Sequence, residues 1–146
     1  MQTVEFADLP TSAQPHGLSA AVDHVRVPAV VGTGAQVSIE VVARNTGQAV
    51  WLPELAANPE AAGRVGVSVR NWIAPDGQRL EPTGYHTQHL DWYVNPGQAA
   101  LLTFSTPAPH IPGQYRLVLD MLSENVTWFG DVHSGAQSVV SVNVVL

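Results

Sequence analysis

The chain contains no cysteine and no lysine, and only 12% of its 146 residues are charged. Without thiols there are no disulfides, no thiol nucleophile and no thiolate metal ligands, so packing alone must hold the fold. Without lysine the cations are six arginines, Arg26, Arg44, Arg64, Arg70, Arg79 and Arg116, scattered along a chain of formal net charge −6. Phosphate backbones and anionic lipid surfaces are bound by clustered cations that release counterions, so neither nucleic acid nor a membrane is expected as a partner. No apolar run approaches the roughly 18 residues of a spanning helix, and no charged-then-apolar leader follows Met1. Neither a membrane span nor a secretion signal is visible, and the compartment is left open.

What is present is alternation. A chain of this length, 45% hydrophobic, can bury about 70% of its unfolded surface around one core. The clearest stretch runs from Pro112 to Phe129, where a Pro112-Gly113 turn launches Tyr115, Leu117, Leu119 and Met121 on one face. Strands are predicted over 19 to 27, 35 to 44, 64 to 73, 78 to 82, 85 to 94, 98 to 105, 114 to 122 and 137 to 146. Between them lie the turns Asn45-Thr46-Gly47, Pro75-Asp76-Gly77, Asn95-Pro96-Gly97 and Pro112-Gly113. Short strands at this spacing define an all-β, antiparallel two-sheet β-sandwich of about seven to nine strands. Residues 1 to 18, with Pro10, Pro15 and Gly17, read as a leader or linker, leaving 19 to 146 as the domain. Pro53 to Ala62 is alanine-rich without an apolar stripe and reads as a loop with about one helical turn.

Parity within the strands assigns the core. Val37, Ile39 and Val41, then Leu102 and Phe104, then Val140, Val142 and Val144 each share a face. Trp92 shares parity with Leu90 and Val94 and is expected among them, whereas Trp51 and Trp128 read as packing residues at the sandwich ends. Trp72 breaks the parity of Val65, Val67 and Val69. Either a bulge at Arg70-Asn71 returns it to the core, the favoured reading, or it points outward beside Arg70. Tyr115, just after a turn, is either a hydroxyl tie between strand and loop or an ordinary buried tyrosine.

Taken in order, Asn45-Thr46-Gly47 and Trp51, Trp72-Ile73 with Pro75-Asp76-Gly77, Asn95-Pro96-Gly97, Pro109 with Pro112-Gly113-Gln114-Tyr115, and Asp120, Glu124 and Trp128-Phe129 carry a resemblance. This set, spanning about residues 20 to 146, resembles the Ig-like modules appended to bacterial proteins of surface-polysaccharide synthesis and export. More distantly it is similar to the four-tryptophan Ig-like domains of selective-autophagy receptors, which bind protein cargo. The resemblance implies an Ig-like, non-catalytic binding module, in some relatives one that recognises glycan, and it transfers no binding residue.

The candidate binding face is polar and aromatic. Tyr85, Thr87, His89, Asp91 and Tyr93 alternate along the predicted strand 85 to 94, with Arg70, and Trp72 if outward, extending the platform. Aromatic rings cover the apolar face of a pyranose while carboxylate and imidazole groups pair with its hydroxyls. A metal site is not expected, because His86 projects away from His89 and Asp91, leaving too few ligands on one face. Asp120 has outward parity and Glu124 lies in the next turn, so they read as a surface hydrogen bond or cap, not an acid and base. With no Gly-x-Ser-x-Gly elbow, His-Glu-x-x-His or phosphate-cradling loop, neither an enzyme nor a cofactor is expected. Two readings remain: a carbohydrate-binding accessory domain of a bacterial glycan-related protein, and a protein-interaction or assembly module docking a neighbouring protein domain through sheet faces or edges.

Overall fold

The alternation closes into two facing sheets. A computed structural model describes residues 10 to 54, 62 to 84 and 86 to 146. Among these residues ten strands form. They are β1 (Ala20–Arg26), β2 (Val30–Gly32), β3 (Gln36–Asn45), β4 (Val65–Ile73), β5 (Arg79–Leu80), β6 (Thr87–His89), β7 (Ala99–Pro107), β8 (Gly113–Ser123), β9 (Thr127–Trp128) and β10 (Ser138–Val145). One sheet has the order β1-β3-β7; the other runs β2-β10-β8-β4-β5, with β6 also on β4 and β9 on β8. The count exceeds the expected nine because β2 and β9, at three and two residues, are too short to show a period. Nor is the pairing wholly antiparallel, since β2 lies parallel to β10.

Each sheet turns an apolar face inward. Val37, Ile39, Val41 and Ala43 of β3 meet Tyr115, Leu117, Leu119 and Met121 of β8, with Val142 and Val144 of β10 beside them. Burying each aliphatic side chain of this size contributes roughly 1.5 to 3 kcal/mol. On β4 the register shifts between Val69 and Asn71. Arg70 is the extra residue, so Trp72 joins Val65, Val67 and Val69 in the core and is 2% exposed. Its ring meets Tyr115 edge to face at 6.2 Å, and the Tyr115 hydroxyl donates to the Ile111 carbonyl at 2.7 Å, tying strand to loop. Trp51 is also fully buried, edge-on to Phe129 at 5.5 Å.

Residues 11 to 18, expected as leader, are bonded into one end of this sandwich. Thr11 bridges Val50, the Ser12 amide donates to the Val50 carbonyl at 2.9 Å, and the buried Ser12 hydroxyl accepts from the Leu52 amide at 2.9 Å. Leu18 is buried in the core. The rest of the expected leader, residues 1 to 9, and most of the expected loop Pro53 to Ala62, residues 55 to 61, lie outside the described residues, as does Tyr85.

Candidate functional site

The predicted strand 85 to 94 is far shorter than its alternation implies, and the site follows from that. β6 ends at His89, after which Leu90 and Val94 are each anchored separately. The Leu90 amide donates to the Val65 carbonyl at 3.0 Å, and its side chain is buried. Val94 exchanges backbone bonds with Trp51 at 2.9 and 3.2 Å, and its carbonyl also accepts from Asn45 Nδ2 at 3.0 Å. Asn45 is fully buried and ties two segments together, because the same Nδ2 reaches the Ala49 carbonyl at 2.8 Å and Oδ1 accepts from the Gly47 amide. Beyond Val94 the turn at Asn95 to Gln98 closes with Gly97 at φ +88°, a conformation that suits glycine.

Between those two anchors the chain bends outward. Asp91, Trp92 and Tyr93 are all exposed, Trp92 to 74% and Tyr93 to 39%. The two rings stack edge to face, centroids 5.5 Å apart and planes at 89°. The sequence reading of Trp92 as a core residue is therefore wrong: Leu90 and Val94 are buried as their parity requires, but no strand connects them. The local fold thus presents a rigidly anchored, solvent-facing aromatic pair flanked by a carboxylate.

The other predicted platform residues are engaged elsewhere. His89 turns to Glu124, with Nε2 and Oε2 2.8 Å apart, and Arg64 reaches the same oxygen at 3.1 Å. Glu124, read as a turn cap, thus joins β6 to the residue preceding β4. Trp72 is in the core and extends no outer platform. Arg70, on the bulge, lies over the Trp128 ring at 5.1 Å and bonds Asp120 at 2.9 Å and Asp131 at 2.7 Å.

Asp120 is a second correction. It does have outward parity on β8, but it is 1% exposed because the segment from Phe129 to Gln137 folds over that sheet face. The Gly130 amide donates to both of its oxygens at 3.0 and 3.1 Å and Gln137 Nε2 to one at 3.3 Å. A Cβ at position 130 would run into the Asp120 carboxylate and the Gln137 side chain, so any larger residue there would displace them. Burial pushes the Asp120 carboxyl above its ordinary value, against the lowering effect of Arg70, Gln137 and Gly130. Burial also opposes the charge on Arg70, but its bonds to Asp131 and Asp120 prevail and raise its pKa.

On the opposite face of the molecule, the outer surface of β1-β3-β7 holds a shallow groove of about 570 Å³. Its lining mixes Val27, Pro28, Ile39 and Phe104 with the hydroxyls of Ser38, Thr103 and Ser105 and one charge of each sign, Arg26 and Glu40. Among the described residues no three His, Asp or Glu side chains gather into a metal-holding group.

Two opposed sheets, a tyrosine tied back to the loop before its strand and a parallel edge pairing define an Ig-like β-sandwich. Solved structures share that fold. The CARDB domain of the PF1109 protein from Pyrococcus furiosus, crystallised in complex with di-metal ions, superposes with a TM-score of 0.50 at 19% identity, covering 99% of this chain and 100% of that one. The solution structure of the same domain gives a TM-score of 0.50 at 20% identity over 90% of this chain and 98% of that one. No family model matches the chain, and no curated protein matches it.

Proposed function

We propose that this Ig-like domain is a non-catalytic binding module whose ligand is carbohydrate, serving as an accessory domain of a bacterial glycan-related protein. One observation carries the reading: Trp92 stands 74% exposed on a loop whose two ends are fixed to the core. A tryptophan in water forgoes the burial that ordinarily stabilises it, and a pyranose ring supplies apolar C–H groups to cover it. Tyr93, at right angles to Trp92, adds a second wall, and Asp91 offers acceptors for hydroxyl groups. A fixed loop loses little conformational freedom on binding, which favours the complex. The resemblance to modules of surface-polysaccharide proteins agrees with this ligand class.

The test is a glycan array probed with the wild-type domain, Trp92→Ala and Tyr93→Ala. Wild type should bind a restricted set of glycans, Trp92→Ala should lose at least about tenfold in affinity, corresponding to roughly 1.4 kcal/mol of ring contact, and Tyr93→Ala should lose less. An array with no bound glycan, or a Trp92→Ala protein that binds as wild type does, rejects the proposal.

A further inference from the structure

Trp92 and Tyr93 stand with their planes at 89° and their centroids 5.5 Å apart, so one face of each ring borders a common corner. A pyranose that lays its C–H face on Trp92, the more exposed of the two, lies parallel to that ring. Its equatorial substituents then project along the plane of the sugar and meet the wall set at right angles, the face of Tyr93. That face carries the negative part of the ring quadrupole, so it attracts a cation and pairs only weakly with a hydroxyl group.

The charges around the corner have the same preference. Asp91 immediately precedes the two rings, and the Glu54 amide donates to the Leu90 carbonyl at 3.1 Å, which brings a second acid to the foot of the loop. Both residues are exposed, and neither carboxylate has a hydrogen bond or ion pair among the described residues. The basic residues beside the loop's anchors are instead joined to other acids: His89 and Arg64 to Glu124 at 2.8 and 3.1 Å, and Arg44 to Asp23 at 2.9 Å. A lysine-free chain of net charge −6 adds a field of the same sign.

We propose that the glycan taken by this loop carries a free amine, and that the Trp92-Tyr93 corner is a subsite for an amino sugar in its ammonium form. This rests on the carbohydrate reading and narrows it. The apolar face of the sugar covers Trp92, the equatorial ammonium meets the face of Tyr93, and Asp91, next in the chain, supplies the opposite charge. Each contact is modest in water, so selectivity comes from the three acting on one sugar residue. N-acetylation removes the charge and adds bulk at the same nitrogen, so an acetylated sugar forgoes both the cation–π contact and the pairing with Asp91.

Isothermal titration calorimetry of the whole chain with glucosamine oligomers and with N-acetylglucosamine oligomers of the same length, at about pH 6 so that the amines are protonated, tests this. Wild type should bind the free amine at least about tenfold more tightly than the acetylated oligomer. Tyr93→Leu, which keeps an apolar wall without a π face, and Asp91→Asn should each reduce that ratio about threefold. Trp92→Ala leaves the net charge at −6 and should weaken binding of the amine oligomer at least about tenfold. If Trp92→Ala binds that oligomer as wild type does, the attraction is that of any polycation to an acidic protein, and the proposal is overturned. A wild type that takes the acetylated oligomer or another neutral glycan as tightly as the amine overturns it too, while leaving the carbohydrate reading intact. Tighter binding of a trimethyl-lysine peptide than of the amine oligomer overturns it in favour of a protein ligand, and a wild type that binds no glycan, charged or neutral, ends both readings.

Discussion

Two polar and aromatic regions of this molecule draw on similar residue types and end in opposite states. Around Trp128 the groups satisfy one another: Arg70 caps the indole and holds Asp120 and Asp131, while Gly130 and Gln137 complete the Asp120 carboxylate. At Asp91 to Tyr93 the two rings meet edge to face, with Trp92 74% and Tyr93 39% exposed. The difference lies in what covers them. The Phe129 to Gln137 segment folds over the first region, and its charges become part of the architecture; the second projects between two anchors and leaves Trp92 largely exposed. An aromatic-carboxylate cluster marks a binding site only where its own fold leaves it unsatisfied.

Substitutions that act on stability in one region and on binding in the other sharpen this contrast. The largest loss should come from Trp72→Ala, about 3 to 5 kcal/mol by chemical denaturation, since it empties core space against Tyr115. Arg70→Ala should follow at about 3 kcal/mol, the low end for breaking a buried pair because the guanidinium is partly exposed, by leaving Asp120 charged and buried. The pH dependence has a definite sign. Burial raises the folded-state pKa of Asp120, and without Arg70 it rises further, so this group's contribution is fully present below its unfolded pKa and is lost as pH rises through the folded one. The deficit of Arg70→Ala should therefore be smaller near pH 4 than at pH 7, a trend that denaturation at the two pH values reads directly. A constant deficit would mean that Asp120 finds another cation.

Tyr115→Phe should cost about 1 kcal/mol, the value of one hydroxyl to carbonyl bond, measured as a shift in denaturant midpoint. Trp92→Ala should be the smallest, within about 0.5 kcal/mol of wild type, although it removes the largest exposed ring. Should Trp92→Ala destabilise as strongly as Trp72→Ala, the contrast between open and closed regions would collapse, and the loop would be structural.

Much of the sandwich was legible from parity, since β3, β7, β8 and β10 have strong period-two patterns and turns at their ends. The Trp72 bulge was legible too, because a large aromatic out of phase with three valines has few other resolutions. Asp120 was not: its outward parity was read correctly, but the cover comes from residues about ten positions on, and alternation says nothing about a loop folding back over a sheet. Trp92 failed for a different reason. Leu90 and Val94 are buried by separate backbone anchors, so two correct core residues implied a strand that does not exist, and the residue between them was placed inside by interpolation. Of the expected platform only Asp91 and Tyr93 lie together on the exposed loop; His89, Arg70 and Trp72 are held in other contacts, and Tyr85 lies outside the described residues.

The parallel pairing of β2 with β10 gives the domain a mechanical polarity. Val30, Val31 and Gly32 lie alongside Asn143, Val144 and Val145, with bonds from the Asn143 amide to the Ala29 carbonyl and from the Thr33 amide to the Val145 carbonyl, each 2.8 Å. Tension applied between the start of β2 and the end of β10 would draw β2 backward along a strand that is being drawn forward. These bonds are loaded together in shear, not opened one after another as in an unzipping hairpin. Forced separation of this pair therefore requires its hydrogen bonds to break together, a resistance contributed by a short strand invisible to sequence periodicity.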